Sequence, residues 1–468
     1  MQLLGWIWLV FLFALVSMNA LMPARFRHVW ILFAGCVFIA YISWQALLVA
    51  VFISSINFLF ARKVKNSKPV FYFANAINCL FILLANYIVA YQSQVKVEWT
   101  QVSFSLEPVV LTLGLSFYTL QHIAWLIDIR RGNQLPETDF LKFLFCSLYF
   151  PKFLSGPLTR YQELSSQLNG STIGRDTIIC GFNRLLLGVF KKMVIADRLA
   201  PTVHSVFDFN NDYPGLTIFI GGLLFTIQLY FDFSGYTDMA LGVSKMLGFD
   251  LPENFNLPLR SLSVSEFWRR WHISLIRFFT DYIFYPVSYN LRKHRKIAAS
   301  AGIAVTFILS GIWHGLGLAF LIWALCHLIY LQIELFTKGI RNIKMFVIKA
   351  LGWILTMAAV AFSNVFFRSP GSEAVIENAR KLFDFSSFFP KNYTADLLAP
   401  LAVGGQQWNF FNLYLVLILA FTFLLFERKI NMQSLKSSFS VTYTTILLLL
   451  IFLFGIFNSG EQFIYVQF

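Results

Sequence analysis

Charge is scarce in this sequence. Only 13% of its 468 residues are Asp, Glu, Lys or Arg, while 57% are hydrophobic. A soluble domain carries about 25% charged residues. With a mean hydropathy of +0.66, a chain of this length cannot hide its apolar surface in one water-exposed core. A water-soluble globule is excluded, and a polytopic membrane protein is expected. Cysteine is scarce as well. The five cysteines, Cys36, Cys79, Cys146, Cys180 and Cys326, are scattered through apolar segments with no pair at metal-ligand spacing. They read as small buried hydrophobes rather than disulfides or zinc ligands. No Gly-rich phosphate loop, nucleophile elbow, Cys–His pair or repeat period stands out. No basic stretch precedes the first hydrophobic run. Arg25, Arg27 and His28 follow it, so the run reads as an uncleaved first span with its start outside.

What charge there is has a pattern. The net +14 comes from short basic clusters between apolar segments: Arg62 to Lys68, Arg130 and Arg131, Arg292 to Lys296, Lys338 to Lys349, and Arg428 to Lys436. That is the distribution of cytoplasmic loops under the positive-inside rule, not a nucleic-acid footprint. Leu3 to Leu21 is the first expected span. Trp30 to Phe60 is too long for one upright helix, which needs roughly 20 residues, and two short helices breaking near Ser43 to Gln45 would fit it better. Phe71 to Tyr91 leads outward, Gln92 to Pro108 is a polar external loop, and Val109 to Ile127 returns.

Phe140 to Pro157 is broken by Pro151, Gly156 and Pro157 and suits a re-entrant or interfacial segment. Further spans are expected over Asp176 to Ala196, Leu216 to Phe233, Ile297 to Gly311, Gly315 to Phe336, Phe346 to Phe367, Phe411 to Phe426 and Tyr443 to Phe457. The span ending at Phe233 runs into YFDFSGYTDMALG, which puts Asp232 and Asp238 near the membrane boundary. A short amphipathic helix is expected through Ala374 to Phe383. The expected fold is all-α, with about ten to twelve membrane helices in one domain over residues 1–468.

Two histidines organise the rest. An ionisable group inside a membrane-grade segment marks a functional site by default. If Glu266 to Pro286 forms one helix at about 100° per residue, Phe267, Trp271, Leu275, Phe278 and Tyr282 share a stripe. Arg270, Arg277 and Asp281 then gather opposite, and His272 falls beside Trp268 and Phe279, turned away from the cations. Such an imidazole stays neutral and can donate or accept a proton. The competing reading is an interfacial histidine that caps an amphipathic helix. His314 follows Trp313 and sits among Gly311, Gly315 and Gly317, which let another helix or a substrate come close. Its competing reading is a buried histidine bonded to a backbone carbonyl. His327 lacks that glycine setting and reads as a core residue. Metal binding is disfavoured, since no third histidine stands at a ligand spacing.

The motifs FDFSGYTDMALG, LPENFNLPLRSLSVSEFWRRWHISL, SGIWHG, NVFFRSPGSEAVIENARKLF and the terminal FIYVQF resemble the membrane-bound O-acyltransferase superfamily. GLSFYTLQHIAWLIDIRRG and FPKFLSGPLTRY fit the same branch, that of the bacterial alginate and peptidoglycan O-acetyltransferase membrane components. The resemblance covers residues from about Leu111 onward, with residues 1–110 as generic N-terminal helices. It implies a helical funnel around a tunnel, with re-entrant and interfacial helices. By motif position the catalytic histidine is His314, and the second family histidine is His272. Trp268, Arg269, Trp313, Asp232 and Asp238 are candidates for lining the tunnel, although Asp232 and Asp238 serve equally well as helix caps or ion-pair partners.

The resemblance further implies a multi-pass protein of the bacterial cytoplasmic (inner) membrane with no bound cofactor. The acyl donor would be a cytoplasmic thioester, acetyl-CoA or another. The acceptor would be an exported polysaccharide or peptidoglycan, reached through an esterase-like partner protein outside the membrane. The chemistry agrees: a hydroxyl attacking a thioester needs a base, and the tetrahedral intermediate needs a hydrogen-bond donor, for which His272 is a candidate. Two alternatives are weighed against this reading. One is D-alanyl transfer to teichoic acid from a carrier protein. The other is a transporter using the histidines as a proton relay, which would call for paired mid-span acids and internal repeats.

Overall fold

The computed structural model describes residues 6–90, 114–168, 170, 173–208, 213–337, 346–389, 408–427, 438–457 and 464. Among them the regular elements are helices, with no strand. Six helices are long and apolar enough to cross a membrane: Ala24–Val64, Lys68–Val89, Gly215–Met246, Arg295–His314, Leu318–Thr337 and Lys349–Arg368. Shorter apolar helices cover Ile7–Leu21, Asn412–Phe426 and Val441–Phe454. An all-α polytopic architecture is what this hydropathy dictates, because each crossing must satisfy its own backbone hydrogen bonds. The expected external loop Gln92 to Pro108 lies outside the described residues. So do the cluster Arg428 to Lys436, much of Lys338 to Lys349 and nearly all of FIYVQF.

The contacts divide the chain into two compact units, each discontinuous in sequence. The first unit holds residues 1–185, 237–253 and 462–468. Here α1 (Trp6–Leu21) is followed by α2 (Ala24–Val64), then α3 (Lys68–Ala90) and α4 (Leu115–Arg131). The expected break in α2 is present: Ser43 has extended φ/ψ of −160° and 110°, and its hydroxyl accepts from the Ala46 N–H at 3.0 Å. Ser43 thus caps the second half of the rod. The segment expected to be irregular also is, as α5 (Phe140–Leu148) and α6 (Phe150–Phe153) with Tyr149 non-helical between them. A short helix, α7 (Tyr161–Ser165), follows. Of the five cysteines only Cys146 is fully buried, and Cys79 is exposed, so the expectation of five buried hydrophobes fails at the remaining positions.

The second unit holds residues 186–236 and 254–461 and contains both histidines. Three expectations are corrected along the way. The span expected over Asp176 to Ala196 is α8 (Arg175–Phe190), which passes through a π turn at Lys191–Ala196 directly into α9 (Asp197–Phe207). The helix expected to end at Phe233 is α10 (Gly215–Met246), a 32-residue rod that carries FDFSGYTD in its interior. Asp232 and Asp238 are 1% and 3% exposed on this helix.

The third correction concerns Glu266 to Pro286, which is not one helix. It forms α11 (Val264–Arg270), α12 (Ile273–Phe279), a π turn at Thr280–Phe284 and α13 (Tyr285–Asn290). The stripe residues Phe267, Trp271, Leu275, Phe278 and Tyr282 are all buried as expected, but the helical phase is reset at His272. Then come α14 (Arg295–His314), α15 (Leu318–Thr337), α16 (Phe346–Arg368) and the amphipathic α17 (Gly371–Phe383).

Candidate active site

His272 stands at the break between α11 and α12. Trp271 before it is extended, and His272 itself has φ 45° and ψ 49°. This left-handed conformation costs a non-glycine residue roughly 1–2 kcal/mol. Tertiary hydrogen bonds impose it. The Asn256 N–H donates to the Arg270 carbonyl at 2.9 Å, and the Ile273 N–H donates to the Asn254 carbonyl, also at 2.9 Å. The ring of His272 lies edge-on to Phe233 at 4.8 Å, and its Nδ1 is 3.2 Å from Asn254 Oδ1. The residue is 1% exposed. It lies outside the six spans; burial first, and His314 second, hold its pKa below the ordinary imidazole range.

The short helix α11 is held at both ends. At its start the Val264 and Ser265 N–H groups donate to the Glu334 carboxylate, at 2.7 and 3.0 Å, and Ser263 Oγ accepts from the Glu266 N–H at 3.1 Å. A carboxylate at a helix N-terminus meets unpaired donors and the positive end of the dipole. Midway, Trp268 Nε1 donates to His327 Nδ1 at 3.2 Å. His327, 1% exposed, is thus a core residue that orients Trp268.

His314 is the last residue of α14. Its ring is walled by Trp313, Trp323 and Phe367 at centroid distances of 4.7, 5.0 and 5.3 Å. Phe320 stacks on it at 6.3 Å. Two of the three flanking glycines are explained by packing. A Cβ on Gly315 would lie 2.4 Å from the Phe320 ring, and one on Gly311 would lie 2.8 Å from Ala324 Cβ. Gly317 has no such close neighbour. The close approach is that of α15, the next helix.

The remaining candidates divide. Trp268 and Trp313 are buried in this aromatic cluster, and Trp323 lies within 5.7 Å of Trp268. Arg269 is exposed on α11. Asp232 pairs with Lys192 at 2.7 Å, and Lys192 also meets Asp197 at 2.8 Å. In the first unit, Asp238 pairs with Arg184 at 2.6 Å, and Arg184 also meets Glu253 at 2.7 Å. Both aspartates therefore serve as ion-pair partners. The sequence reading missed Asn254 and Glu334. Glu334 had a signal, being the sole acidic residue within α15; Asn254 had none apart from its place in LPENFN.

The sequence pattern of the membrane-bound O-acyltransferase family matches residues 134–372, just over half of the chain. The chain belongs to the membrane-bound O-acyltransferase family. The matched residues include Asn254, His272, His314, Glu334 and Phe367. Among the family's relatives, the "probable alginate O-acetylase" of Pseudomonas syringae pv. tomato is 36% identical over 291 residues, 61% of this chain and 55% of that protein. The peptidoglycan O-acetyltransferase of Helicobacter pylori is 29% identical over 394 residues, 75% of this chain and 73% of that protein. The teichoic acid D-alanyltransferase of Bacillus subtilis is 31% identical over 229 residues, 46% of this chain and 56% of that protein. The chain spans little more than half the length of the alginate relative it matches.

Proposed function

We propose that this chain is a membrane O-acyltransferase of the bacterial inner membrane. It takes an acyl group, acetyl in the favoured reading, from a cytoplasmic thioester such as acetyl-CoA. It passes that group across the bilayer for O-acylation of an exported polysaccharide or peptidoglycan, with an esterase-like protein outside the membrane as its partner. His314 is the general base or acyl-handling residue, and His272 is its electrostatic partner. Trp268 and Trp313 form the wall against which the acyl group packs.

The observation that carries this reading is the burial of two imidazoles in one compact unit, each ring packed against aromatic side chains. In such a site the hydroxyl oxygen can bond to the thioester carbonyl carbon while a histidine takes the hydroxyl proton. The C–S bond then breaks and the thiol leaves with a proton. Water exclusion by the surrounding rings limits hydrolysis of the thioester.

The test is His314→Ala in membranes or nanodiscs supplied with radiolabelled acetyl-CoA and the acceptor. Transfer is expected to be lost, with expression and insertion unchanged; retained transfer overturns the assignment. The kinship with the D-alanyltransferase of Bacillus subtilis supports a second reading, transfer of D-alanine from a carrier protein. Co-purification of an acyl carrier protein with the chain, together with transfer of D-alanine and not acetyl, would favour that version.

A further inference from the structure

The contacts of Asn254 restrict what His272 can do. Asn254 is fully buried. Its Oδ1 accepts from the Ser274 backbone N–H at 3.2 Å and from Ser274 Oγ at 2.8 Å. A backbone N–H can only donate, so the atom facing it is the amide oxygen and not the nitrogen. His272 Nδ1 lies 3.2 Å from that same oxygen, a contact that is attractive when Nδ1 carries the proton and repulsive when it presents a lone pair. Meanwhile the backbone carbonyl of Asn254 accepts from the Ile273 N–H at 2.9 Å. One residue thus fixes the left-handed turn of His272 and the rotation of its ring.

Asn254 Nδ2 is buried and has no hydrogen-bond partner among the described residues. A buried donor left unsatisfied costs about 1–3 kcal/mol. Aspartate would serve the same three donors, but its second oxygen would take the unpartnered place of Nδ2 and its charge would favour the imidazolium form. Asparagine supplies the acceptor and leaves the ring neutral.

We infer that Asn254 is a positioning residue that holds His272 as the Nδ1–H tautomer, placing the lone pair of the ring on Nε2. This rests on the acyltransferase reading above and changes one assignment in it: His272 takes the hydroxyl proton, which leaves His314 the acyl-handling role. A neutral ring in this tautomer has no Nε2 proton to give, so His272 is not the hydrogen-bond donor to the tetrahedral intermediate. It is a proton acceptor. While the hydroxyl oxygen bonds to the carbonyl carbon and the C–S bond breaks, Nε2 can hold the hydroxyl proton until the leaving thiolate takes it.

The experiment is nitrogen NMR on the full-length chain with 15N-histidine in nanodiscs, assigning His272 by its disappearance in His272→Gln. The expected spectrum has a protonated Nδ1 and a bare Nε2. A protonated Nε2 with a bare Nδ1 overturns the inference, and this measurement needs no variant of Asn254. In Asn254→Leu the ring should move toward the Nε2–H form, and in Asn254→Asp the Nδ1 proton should stay. Wrong-tautomer variants of catalytic histidines lose on the order of 10⁴-fold in kcat. Asn254→Leu should therefore lose at least about 10²-fold in kcat, with KM for the thioester within about 2-fold. Added to His272→Ala, it should cause no further loss; an additive loss would assign Asn254 a merely structural role and overturn the inference. If His272→Ala alone retains full transfer, the catalytic reading of His272 fails, whatever the tautomer.

Discussion

At the scale of single residues, polar groups on neighbouring elements hold the segment that carries His272. Glu334 is the clearest case, a buried carboxylate that accepts two N–H groups at the start of α11. Glu334→Gln keeps an acceptor but loses the charge at the helix N-terminus, a change of about 1 kcal/mol. Glu334→Leu leaves the buried Val264 N–H unsatisfied, at about 1–3 kcal/mol, and the half-buried Ser265 N–H without its acceptor. Thermal melts in detergent should rank wild type above the glutamine variant, and that above the leucine variant. Acyl transfer should fall in the same order. A leucine variant that melts with wild type would mean the α11 terminus finds other partners. The same logic applies to Asp232 and Asp238, for which the ion-pair alternative is met: Lys192 and Arg184 neutralise them from positions 40 and 54 residues away.

At the scale of elements, legibility followed the strength of the local signal. The apolar runs expected over Ile297 to Gly311, Gly315 to Phe336 and Phe346 to Phe367 became α14, α15 and α16, because span length is a uniform demand of the bilayer. The break in α2 was legible from length alone, and Ser43 supplies the cap that restarts the helix. The break at His272 was not legible. Neither glycine nor proline marks FWRRWHIS; the interruption is set by backbone bonds from Asn254 and Asn256, residues 14 to 19 positions upstream of their partners. Likewise α10 runs through its aspartates because their charges are met by distant cations. The α14–α15 pair offers an element-level test. Gly311→Val would force side-chain atoms into the Ala324 position, an overpacking of about 1–3 kcal/mol. A lower melting temperature with transfer reduced in proportion is expected. An unchanged melt would show that the two helices separate there at no cost.

At the scale of the whole molecule, the family was legible from motifs, whereas the geometry of the site was not. WRRWHIS and SGIWHG announce two histidines, but nothing in either motif indicates that their walls come from α10, α15 and α16. The enclosure of His314 is closed by Phe367, which the ribosome delivers 53 residues after it. During synthesis the imidazole must therefore enter the lipid phase beside Trp313 and wait for its last neighbour. Nascent chains arrested before Phe367 has emerged should leave His314 open to carbethoxylation by diethylpyrocarbonate. Chains arrested well beyond Arg368 should protect it. Equal labelling in both would show that the ring is screened before α16 arrives. His314, on this account, emerges uncovered, and its aromatic enclosure is completed only when α16 is in place.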